Sequence, residues 1–140
     1  MRKLLVFLVV ALAVPSLALA GKPTNPGQSQ QSHGKGTPQV MYVLKGTLTA
    51  FTAASGTTNG SVSLLVKRAN HHGVSLKGQT LTFVVSATTK VVTGNGPAVT
   101  VGDNGIVKVR GPKKLGPTDN LATVLQALTA KQVIDQGPAS

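Results

Sequence analysis

Val40 to Thr52 reads VMYVLKGTLTAFT. Tyr42, Leu44, Leu48 and Ala50 fall on one parity, and Lys45, Thr47 and Thr49 fall on the other. Period two is the mark of a half-buried strand, in which successive side chains point to opposite faces. Gly46 interrupts the stretch and predicts a bend or bulge, the device by which a small barrel turns a corner.

The text on the C-terminal side repeats this vocabulary. Ala54 to Gly60 (ASGTTNG) is turn chemistry ending in Asn59-Gly60, which predicts a hairpin there. Ser61 to Arg68 then alternates, with Val62, Leu64 and Val66 facing one way and Ser61, Ser63 and Lys67 the other. Asn70 to Gly78 reads as a loop. Leu81, Phe83 and Val85 mark a third strand, and Thr88 to Val92 a short continuation of it. Ile106 to Arg110 is a fourth strand with Val107 and Val109 inward. Gly111 to Asn120 is a basic turn region carrying two prolines.

Leu121 to Asp135 supports two readings. Leu121, Val124, Leu125 and Leu128 have helical spacing, and Asn120 can cap them. Leu125, Ala127, Thr129, Lys131 and Val133 also alternate. A final strand over roughly residues 125–134, after a short helical turn, is the favoured expectation.

Several short strands separated by turn signals, with no long helix, predict an all-β domain. The expected architecture is a single small OB-like β-barrel of five to six antiparallel strands over residues 39–136. Closure removes the free edges that an open sheet exposes.

The pieces Lys45-Gly46-Thr47-Leu48-Thr49-Ala50, Thr82-Phe83-Val84-Val85, Val101-Gly102-Asp103-Asn104-Gly105-Ile106-Val107 and Leu128-Thr129-Ala130-Lys131-Gln132-Val133 occur in that order. This order resembles a bacterial exported domain-of-unknown-function family with an OB-like small β-barrel. The resemblance implies the fold and export, and it carries no catalytic residue. The chain departs from the family's "G-D-x-V" step, because Asn104-Gly105-Ile106 adds a residue there. Asp103 after Gly102 reads as a turn-maker.

Outside the strands, Arg2 and Lys3 precede an apolar run of 11 residues, Leu4 to Val14, followed by Pro15 and the small-residue end Ala18-Leu19-Ala20. That is the layout of a secretory signal peptide, with cleavage expected after Ala20. The run falls short of the roughly 20 residues that span a bilayer, so a secreted, periplasmic or extracellular location is expected, with no transmembrane segment in the mature chain. Gly21 to Pro38 has no large apolar residue and reads as a flexible linker. Residues 137–140 read as a short tail.

Composition excludes several chemistries. The chain has no Cys, which removes disulfides, thiol catalysis and thiolate metal sites. Its only acids are Asp103, Asp119 and Asp135. Asp103 with Asp135 is the one pair open to carboxylate catalysis, and three acids leave little room for it. No nucleophile elbow or phosphate-binding glycine loop is present. His71-His72 would need a third ligand such as His33 to hold a metal, and a solvated loop pair is the favoured reading. No enzyme activity, cofactor or metal is expected, and a monomer is.

The remaining feature is charge. Losing Arg2 and Lys3 with the leader takes the formal charge from +11 to +9. Lys108 and Arg110 share a parity and should point outward together, with Lys113 and Lys114 in the next loop. A basic face of this kind attracts polyanions, so these four residues are the candidate site, with an anionic envelope or matrix polymer as the partner class. Nucleic acid is disfavoured, because single-strand binding also needs stacking aromatics. Tyr42 and Phe83 read as inward, which leaves Phe51 alone as a platform.

Overall fold

The computed structural model describes residues 36–94 and 96–138. The expected signal peptide, most of the linker, His33 and the last two residues lie outside the described residues. The secondary structure is mostly strand: β1 (Gln39–Thr52), β2 (Gly60–Ala69), β3 (Thr80–Val85), β4 (Lys90–Thr93), β5 (Asn104–Pro112) and β6 (Ala130–Gly137). The six form one sheet in the order β3-β2-β1-β5-β6-β4. A 3-10 helix, His71–Leu76, follows β2, and a short α1 (Leu121–Gln126) precedes β6. No helix among the described residues is long and apolar enough to cross a membrane.

The inward parity holds for most of the expected positions. Tyr42, Leu44, Leu48, Val62, Leu64, Val66, Leu81, Phe83, Val85, Val107 and Val109 are all buried in one core. Leu125 from α1 and Leu76 from the 3-10 helix join it. Asn120 caps α1 with its side-chain oxygen, which accepts from the N–H groups of Ala122 and Thr123, so a short helical turn does precede the last strand.

Four β-bulges bend the sheet. Against β2, Lys45 pairs with Arg68 but Gly46 pairs with Val66, so Lys67 is an extra residue. Gly46 has no Cβ because one would collide with the backbone carbonyl of Leu65. Leu48 pairs with Leu64 and Ala50 with Ser63, so Thr49 is extra on β1. This second bulge corrects the expected parity: Ala50 is exposed, while Phe51 turns toward the core and packs against it. Phe51 is therefore no free stacking platform. On β6 the extra residues are Gln136 and Lys131.

Three expectations change. The sheet is not closed. Its edges β3 and β4 are consecutive in the chain and separated by the Ser86–Thr89 turn, and one isolated bridge, Val84 to Thr129, spans the gap. Part of the exposed β3 edge is satisfied by a side chain instead, since the Thr82 N–H donates to Gln126 Oε1 of α1 at 3.2 Å. The pairing of β4 with β6 is parallel, where all pairs were expected to be antiparallel. The turn between β1 and β2 is built on Ser55 to Thr58, with Gly56 at positive φ, and Gly60 already belongs to β2.

Candidate functional site

The three carboxylates come first, because their placement decides what the cations face. Asp135 is buried and accepts from the N–H groups of Thr100 (2.8 Å) and Gly137 (2.9 Å). Asp103 lies beside it. Partial desolvation, the charge of Asp135 and a shared side-chain hydrogen bond raise the Asp103 pKa above the ordinary carboxylate value. Asp119 accepts from the Gly116 N–H at 2.9 Å. Each acid is thus engaged in a turn or with another acid. The Asp103–Asp135 pair does come together, yet Asp135 is held by backbone donors at the end of a strand, the position of a structural carboxylate.

The four candidate cations divide into two groups. Lys108 and Arg110 lie on the outer face of β5, between the inward Val107, Val109 and Gly111, and Arg110 is exposed. Lys108 stands opposite Val43 and Arg110 opposite Met41 on β1. Lys113 lies elsewhere. Its N–H donates to the Pro38 carbonyl, and its charge falls on His72. Desolvation first, then the charges of His71 and Lys113, lower the His72 pKa. His72 stacks on His71 at 3.7 Å between ring centroids and meets the Tyr42 ring edge-on at 6.0 Å. Lys113 therefore belongs with the two histidines. Lys114 is exposed in the loop that follows.

The outer face holds further cations, of which Lys45 and Lys67 follow from alternation while Arg68 and Lys131 are brought there by bulges. Lys45 of β1 is exposed and stands opposite Arg68 of β2. The bulge at Lys67 lets two consecutive residues, Lys67 and Arg68, both be exposed. Lys45 pairs with Ile106, two residues from Lys108, which makes Lys45 and Lys108 diagonal neighbours about 7–8 Å apart. At the far end Arg110 and the bulged Lys131 border one shallow groove with Thr129. The outer face thus carries cations from β2 across β1 and β5 to β6.

Among the described residues no three His or Asp side chains converge on a point that could hold an ion. No buried side-chain polar atom among them lacks a partner. Comparison with protein-family models, curated proteins and solved structures yields no match for the chain.

Proposed function

We propose that this chain is an exported, non-enzymatic β domain that binds anionic envelope or matrix polymers along the outer face of its sheet. One observation carries the reading: the acids are engaged in turns and with each other, while Lys45, Arg68, Lys108 and Arg110 lie on neighbouring strands. Such a face gains from releasing the counterions of a polyanion, whatever the sequence of that polymer. The leader layout of residues 1–20 and the resemblance to exported domains support the location. The scarcity of acids and the absence of Cys support a role in binding over chemistry.

Lys108 and Arg110 form the centre of this reading, and Lys113 and Lys114 its periphery. Retention on heparin–agarose tests it. The protein is expected to need substantially more salt for elution than the Lys108→Ala/Arg110→Ala variant. Elution of both at the same low salt would remove the proposal.

A further inference from the structure

We infer that the cleft between Lys45, Lys67 and Arg68 is a specific site for a tetrahedral oxyanion, a phosphate or sulfate ester carried by the bound polymer. The inference deepens the polymer reading and rests on it for the source of the ester.

The cleft has a volume of about 590 Å³. It forms where two bulges flank one cross-strand pair. Gly46 of β1 is directly opposite Gly105 of β5. On one side of that pair the extra residue is Lys67, and on the other it is Gln136. A bulge bends its strand and re-aims a side chain, and here both extra residues line the same hollow. Regular alternation would send Lys67 and Arg68 to opposite faces. The bulge leaves both at the surface beside Lys45.

The lining matches an oxyanion in charge and in hydrogen bonding. Three cations border the cleft, and the amides of Asn104 and Gln136 complete its polar wall. Neither Asp103 nor Asp135 lines it, although each adjoins one of those amides in sequence. The Asp135 carboxylate is turned inward onto Thr100 and Gly137, away from the cations. Lys45 and Arg68 face each other across the ladder. Like charges there are destabilising, and a bound oxyanion relieves that repulsion. The guanidinium of Arg68 can hold two oxygens of a tetrahedral group at once, while the lysines act as point charges. The groove at Arg110 has only Arg110 and Lys131 as cations, with an apolar wall from Leu128, so it suits the polymer's path better than an anchored ester.

Titration of the 15N-labelled protein with inorganic phosphate, followed through amide shifts, tests the site itself. Saturable shifts are expected at Lys45, Lys67, Arg68, Gly105 and Gln136. Arg68→Gln should weaken phosphate binding by about tenfold, and Arg68→Lys by less, because charge survives but the planar fork does not. Lys108→Gln/Arg110→Gln should leave phosphate affinity unchanged. Both sets of substitutions are on the exposed outer face, and unchanged circular dichroism confirms the fold. Absence of saturable shifts, or an Arg68→Gln variant that binds phosphate as well as the parent, overturns the inference.

Two polymers then separate the sources. Tighter binding of polyphosphate than heparin, lost in Lys45→Gln/Lys67→Gln/Arg68→Gln, assigns the site to phosphate groups, and the reverse order assigns it to sulfate groups. If both polymers are retained but the triple variant loses neither, the oxyanion site fails and the polymer reading stands. If phosphate saturates the cleft while neither polymer is retained, the polymer reading fails, and with it the polymer-borne ester named here.

Discussion

Lys45 and Arg68 stand directly opposite each other on β1 and β2. Two cations in that relation cost up to about 1 kcal/mol relative to a neutral pair. Replacing either with a neutral strand former should therefore move two measurements in opposite directions. Lys45→Thr is expected to raise stability by about 0.5 kcal/mol in urea unfolding. The same variant should leave heparin at lower salt. A loss in both would mean that Lys45 supports the fold, not the ligand.

Gly46 and Gly105 have different neighbours, and alanine should separate them. A Cβ at Gly46 meets the Leu65 carbonyl, which is backbone and cannot swing away. A Cβ at Gly105 meets the Leu48 side chain at 2.6–2.9 Å, which can shift rotamer. Gly46→Ala should cost about 3 kcal/mol or more and Gly105→Ala about 1–2 kcal/mol, in the range of overpacked cores. Gly46→Ala should also disturb the bulge at Lys67 and reduce phosphate binding. Equal and small losses from the two variants would contradict the register.

Asp103 gives stability a pH dependence. The folded state raises the pKa of Asp103, so folding favours its protonated form. The stability this lends is full below the ordinary carboxylate pKa and is lost as pH rises through the raised folded value. Asp103→Asn should therefore be more stable than the parent at neutral pH, with the gap closing in acid. Asp135→Ala is the opposite case. It strips the partners from the Thr100 and Gly137 N–H groups and should cost about 2 kcal/mol at neutral pH. Urea midpoints at pH 7 read both effects, and those at pH 3.5 the closing of the Asp103→Asn gap.

Tyr42 donates to the Pro112 carbonyl at 2.6 Å from within the core. Burial raises its pKa. Its contribution is therefore complete below the ordinary phenol value and is lost as pH rises through the folded one. Tyr42→Phe should lose about 1 kcal/mol at neutral pH and show a shallower alkaline decline than the parent. An equal alkaline decline in both proteins would place the titrating group elsewhere.

The strands were readable because their buried faces keep strict alternation. Val62, Leu64 and Val66 on β2, and Leu81, Phe83 and Val85 on β3, needed only period two. Gly46 even announced the bend. Alternation cannot locate a bulge, because the partner strand decides where the extra residue falls. That is why Ala50 and Phe51 exchanged faces, and why Arg68 joined Lys67 at the surface. Lys108 and Arg110 kept regular parity and were found from it. Lys45, Lys67, Arg68 and Lys131 were hidden because their grouping depends on long-range register between β1, β2, β5 and β6. The parallel pairing of β4 with β6 has the same origin, since a four-residue edge strand carries no mark of its direction.

The salt dependence of heparin affinity tests the polymer-binding face most directly. For the parent, the logarithm of the association constant should fall linearly with the logarithm of salt concentration, as counterion release requires. Each outer-face cation that pairs with the polymer contributes about one unit of slope. Substituting Lys45, Arg68, Lys108 and Arg110 with Gln should therefore reduce the slope by about four, with the circular dichroism spectrum unchanged. A variant with the parent's affinity and slope would show that the outer face takes no part in binding.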